Sequence, residues 1–184
     1  MSTSLKRLLF SLFLAALLVP SSSADPMASH KAMIKDALKA GPTEITDNAT
    51  IMDMAGTVLR EGDNGWICYP GKELDHGKDA MCVDSVWNTL AQAWIGKKPF
   101  STDRIGISYM YGGDGVGVSN IDPFATEPTK DNQWVAEGPH LMIVVPNPAT
   151  LEGLSTDPES GGPYVMWKGT PYAHIMIPLG NRKP

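Results

Sequence analysis

Two short stretches repeat the same pair of side chains at the same spacing. His140-Leu141-Met142-Ile143 and His174-Ile175-Met176-Ile177 each carry His and Met two residues apart, with Pro146 and Pro178 at their far ends. In an extended strand, residues i and i+2 share a face. Each segment therefore presents an imidazole and a thioether on one side of a sheet. If the strands are neighbours and their faces agree, His140, Met142, His174 and Met176 converge. Borderline nitrogen mixed with soft sulfur suits copper better than zinc, magnesium or calcium. Nine methionines beyond Met1 fit that chemistry loosely. The plainer reading is packing, since Met fills apolar cores and a His at a strand end bonds a backbone carbonyl. A third use is acid–base catalysis by His140 or His174, oriented by an Asp such as Asp122 or Asp131. His30 and His76 read as edge or solvated residues.

Other chemistries find little footing. The run Gly112-Gly113-Asp114-Gly115-Val116-Gly117 is followed by no Lys-Ser or Lys-Thr and opens no helical pattern, so it reads as a hairpin turn rather than a phosphate loop. Asp114 and Asp122 do not fall at calcium-loop spacing. Gly-x-Ser-x-Gly, Ser-x-x-Lys and His-Glu-x-x-His are all absent. Trp66, Trp134 and Trp167 fall near turns or strand ends, where a partly exposed indole could serve as a ligand platform.

The elements that must position these residues follow from periodicity. Residues 25–40 read as a helix, with Asp25 or Ser29 as cap, Met27, Ile34 and Leu38 on one face, and Gly41-Pro42 as stop. Residues 83–95 give a stronger one. Val83, Val86, Trp87, Leu90, Ala91 and Trp94 form a continuous apolar stripe, and Gly96 is placed for a left-handed cap. Short strands are expected over 50–54, 56–60 and 66–69, with 70–80 as a polar surface loop. Residues 105–111 and 116–118 outline a hairpin. Residues 141–145 are apolar on both faces and read as a central strand, 147–153 as a short helix, and 164–167 and 174–177 as two further strands. The expected fold is one α+β domain: an antiparallel or mixed sheet of five to seven strands with two main helices on one side. A β-sandwich with a helical insertion is the alternative.

The chain's 184 residues are 42% apolar and 19% charged, a globular composition. Residues 1–24 read as a cleaved secretory signal. Lys6 and Arg7 precede an apolar run from Leu8 to Val19, and Ser22-Ser23-Ala24 supplies the small residues of a cleavage site. That run spans roughly 18 Å as a helix, too short for a permanent membrane anchor. The single domain then covers 25–184, where 13 basic side chains face 20 acidic ones, a net charge of −7. Such a surface has no basic stripe for nucleic acid. Cys68 and Cys82, the only cysteines, read as a disulfide in an oxidising compartment, the periplasm or the outside.

Several stretches resemble a family of small secreted bacterial proteins of unknown function. They are Asn64-Gly65-Trp66-Ile67-Cys68, Met81-Cys82-Val83-Asp84, Gly138-Pro139-His140-Leu141-Met142 and the closing run from Gly161 to His174. The resemblance implies export from a bacterial cell and no activity or cofactor. The expectation is an exported binding or accessory protein whose partner is an unknown small molecule or protein. The alternatives are a small exported hydrolase using a His acid/base and a copper-binding protein using the two His-x-Met pairs.

Overall fold

The computed structural model describes residues 26–71 and 80–182. The expected signal segment, Asp25 and His76 lie outside the described residues. The chain order is α1 (Pro26–Ala37), α2 (Thr43–Thr46), β1 (Thr50–Met52), β2 (Val58–Arg60), β3 (Ile67–Tyr69), β4 (Met81–Val83) and α3 (Ser85–Ile95). It continues with β5 (Gly106–Met110), β6 (Val118–Ser119), β7 (Trp134–Val135), β8 (His140–Val144), β9 (Tyr164–Met166) and β10 (His174–Pro178). Eight strands make one sheet in the order β2-β1-β3-β4-β5-β8-β10-β9, and β6 pairs with β7 apart from it. Among the described residues, only β1 and β3 run parallel. The α+β class and the mostly antiparallel sheet are as expected from the sequence. The strand count exceeds the five to seven expected, and the sheet is continuous rather than split into a sandwich.

The expectation that the helices share one side is corrected. Alternation along β5 sends Gly106, Ser108 and Met110 to one face and Ile107 and Tyr109 to the other. The helix α3 covers the first face, burying Val86, Trp87, Leu90 and Ala91 against Val83, Met110, Met142 and Met176. The helices α1 and α2 lie on the second, where Ile34, Ala37 and Ile45 pack against Ile51, Cys68, Cys82 and Tyr109. The short strands are apolar on both faces, so each face needs its own cover.

Sequence explains how α3 reaches its place. Asp84 caps it, with Oδ1 accepting from Trp87 N at 2.8 Å. Its Oδ2 accepts from Ile107 N at 2.8 Å, which ties the helix start to β5. Val83, expected in the helix, belongs instead to β4, opposite Ser108. The C-terminal cap also differs. Gly96 stays right-handed (φ −78°). Lys97 takes the left-handed position (φ 52°), and Lys98 N donates to the Ala93 carbonyl. Gly106 is required by close approach: a Cβ there would lie 2.8 Å from Val86 Cγ1 and 2.9 Å from Trp87 N. Any larger residue at 106 pushes α3 off the sheet.

The glycine-rich run does not close a hairpin. The strand β5 pairs with β4 and β8, whereas β6 pairs with β7. The left-handed Gly113, Gly115 and Gly117 fold the run into a loop (φ 81°, 65° and 79°). Within it Asp114 N donates to the Glu137 carbonyl at 2.9 Å. The helix expected over 147–153 is a 3₁₀ turn, Pro148–Leu151, capped by Asn147.

Cys68 and Cys82 sit directly opposite in the β3–β4 pair and are joined by a disulfide. Closing that loop contributes about 3 kcal/mol. Among the described residues, no helix is long and apolar enough to cross a membrane.

Candidate functional site

Register decides which of the expected site residues meet. Between β8 and β10, Met142 stands opposite Met176 and His140 opposite Pro178. Between β10 and β9, His174 stands opposite Met166. All four side chains of the two His-x-Met pairs occupy the α3-covered face. The histidines, however, stand at opposite ends of the strand pair, about 13 Å apart along it, with the two methionines between them. The expected convergence of four ligands is thus replaced by a line of side chains.

One end of that line opens on a cavity of 160 Å³ between α3 and the sheet. Trp87, Leu90, Ala91 and Trp94 of α3 form its roof, and Met142, Met176 and His174 belong to its floor. Three further methionines, Met81, Met110 and Met166, join them from β4, β5 and β9. Trp167, expected to be partly exposed, is buried and closes one wall. The indole N–H groups of Trp94 and Trp167 are taken by the carbonyls of Pro123 and Ser119. Neither indole therefore leaves an unpaired donor beside the cavity.

His174 and Asp114 are the polar side chains in this largely apolar lining. His174 is 1% exposed. Its Nδ1–H donates to the Tyr172 carbonyl at 2.9 Å, which fixes the tautomer with a lone pair on Nε2. That Nε2 has no hydrogen-bond partner among the described residues. The rings of Trp87 and Trp167 meet the imidazole edge-on, with centroids at 5.1 and 5.0 Å. Burial pushes its pKa down to about 4 against the opposing Tyr172 bond, with a smaller lowering from the like charge of His140. At neutral pH the ring is a neutral acceptor.

His140 has a different setting. It is fully buried and is not among the residues that line the cavity. Its Nδ1–H donates to the Gly138 carbonyl at 2.8 Å, and its Nε2 lies 3.5 Å from Asp114 Oδ1. The carboxylate beside it is therefore Asp114, not Asp122 or Asp131. Asp122 is spent on a turn, where its Oδ1 accepts from Phe124 N, and Asp131 is exposed. Asp114 itself lines the cavity, and its Oδ2 accepts from Glu137 N at 3.0 Å.

Behind Asp114 stands a buried polar clasp. The Glu137 carboxylate accepts from Tyr164 Oη at 3.0 Å, and from Arg182 through Nε at 3.2 Å and Nη2 at 3.1 Å. Burial and the Glu137 charge drive the Tyr164 pKa far upward. Arg182 also bonds Glu159 and the Pro158 carbonyl. The C-terminal segment is thereby pinned against the loop that carries Asp114.

No family model, curated protein or solved structure matches this chain. Among the described residues, no three His, Cys, Asp or Glu side chains gather as a metal cluster. What the sequence missed is the wall: Met81, Met110, Met166 and Asp114. Periodicity could not single them out, because each lies on a different element and only strand order brings them together.

Proposed function

We propose that the chain is an exported binding protein, periplasmic or secreted, which holds a small guest in the methionine-lined cavity beneath α3. The observation that carries this is a space of 160 Å³ lined by five methionines and by His174, whose Nε2 has no hydrogen-bond partner among the described residues. Protein interiors pack to crystal density, and voids of this size are few. An apolar cavity of about 150 Å³ takes benzene or xenon. The signal-like N-terminus and the disulfide support export. The acidic balance argues against nucleic acid as partner.

A hydrolase built on His140 and Asp114 is the second reading, favoured by their 3.5 Å approach. Its weakness is access: His140 is fully buried and the cavity does not reach it. His174 does reach the cavity, but it is oriented by a backbone carbonyl rather than by a carboxylate. With a pKa of about 4 it is a weak base at neutral pH.

Calorimetric titration with benzene tests the binding function. The protein is expected to take one molecule, with the negative heat-capacity change of apolar burial. Ala91→Leu, which fills the space from the roof, is expected to abolish the heat while keeping the fold. A folded wild-type protein that takes up no benzene contradicts a usable cavity.

A further inference from the structure

We propose that His174 Nε2 and the thioethers of Met142, Met166 and Met176 form a binding site for a soft monovalent cation, copper(I). The proposal rests on the cavity being the binding site, and it names the ligand class. Five of the chain's ten methionines line this one space. Met also serves as an adaptable core filler, but five thioethers gathered around one imidazole make a soft donor set that Leu and Ile would not. Thioethers are weak ligands for hard ions and good ones for copper(I).

The histidine is prepared as a ligand. A metal-bound imidazole donates its other N–H to a carbonyl or carboxylate, which sets its tautomer and aim. The Tyr172 carbonyl does this for His174 at 2.9 Å and leaves Nε2, which has no hydrogen-bond partner among the described residues, with its lone pair. The two flanking indoles hold the ring edge-on, so it cannot swing away without losing both contacts. Register supplies the sulfurs. Met166 is the cross-strand partner of His174, and Met142 and Met176 are partners of each other one step along the same face. Such partners have Cβ atoms about 5 Å apart, within reach of long flexible side chains converging on one ion. Asp114, the one acidic side chain in the lining, supplies negative charge to balance a single positive one. Zinc is a poor fit, because its sites need a fuller set of His, Cys and carboxylate ligands than the described residues gather.

Silver(I), a redox-inert stand-in for copper(I), tests the assignment in the full exported protein labelled at the methionine methyls. One equivalent is expected to shift the Met142, Met166 and Met176 methyls and leave the exposed Met27 and Met54 in place. Copper(I) competition against a chromogenic chelator is expected to weaken by more than about tenfold in Met176→Leu, which conserves volume, and in His174→Gln. Met54→Leu is expected to change nothing. Shifts confined to exposed methionines, or unchanged copper(I) affinity in folded Met176→Leu, overturn the site. Benzene titration of the same sample separates the two failures. If benzene binds and silver does not, the metal assignment falls and the cavity stands. If neither binds, both fall.

Discussion

Replacing Arg182 with Met lowers the unfolding free energy by about 3–5 kcal/mol, the largest loss expected from a single change outside the apolar core. Glu137 is 4% exposed, and its carboxylate has Arg182 as its cationic partner through two nitrogens. Arg182 is itself 27% exposed at its side chain. Its loss therefore exposes little apolar surface but strands a buried negative charge. Tyr164 Oη and Gly138 N still donate to that carboxylate, yet neither carries a compensating charge. Urea unfolding measures the loss, and adding Glu137→Gln to Arg182→Met is expected to recover part of it. A loss below about 1 kcal/mol places the pair among surface ion pairs and removes the clasp. The consequence extends to the site, because Asp114 and Glu137 exchange hydrogen bonds in both directions.

Acid should weaken the fold through His174. Its folded pKa of about 4 lies below the ordinary histidine value of 6.5, so the native state resists a proton that the unfolded chain accepts. The stability is complete above pH 6.5 and is lost as pH falls toward 4. Between about pH 7.5 and about pH 4.5 the loss amounts to about 2–3 kcal/mol. Acid acts on other groups of the protein as well as on this ring. The diagnostic quantity is therefore the difference between wild type and His174→Gln, followed by urea unfolding at both pH values. The variant is expected to lose that much less stability on acidification. Equal losses in the two proteins mean that His174 is not the desolvated group described above.

Some of this was legible in the sequence and some was not, for physical reasons. The stripe Val86, Trp87, Leu90, Ala91 and Trp94 announces α3 because one helix face must be apolar wherever it lands. The His-x-Met echo announces that His and Met share a face in β8 and β10, since alternation is local. Register is not local. That Met142 meets Met176 while His140 meets Pro178 depends on strand offset, which no segment encodes alone. The strand β4 was hidden because Val83 continues the helical stripe, and Asp84 decides the boundary only once its side chain can reach both Trp87 N and Ile107 N. The glycine-rich run looked like a hairpin because turns need glycine. Its strands find other partners, and its Asp114 is held by a glutamate 23 residues away. The Glu137–Arg182 clasp joins residues 45 apart and leaves no periodic trace.

Anomalous diffraction from a crystal pressurised with xenon tests most directly whether the space beneath α3 admits a guest. A single strong peak is expected between α3 and the β8–β10 pair, within about 4 Å of the Met142 and Met176 side chains and beside the His174 ring. Peaks confined to the surface, with side chains closing the space between α3 and the sheet, would contradict it.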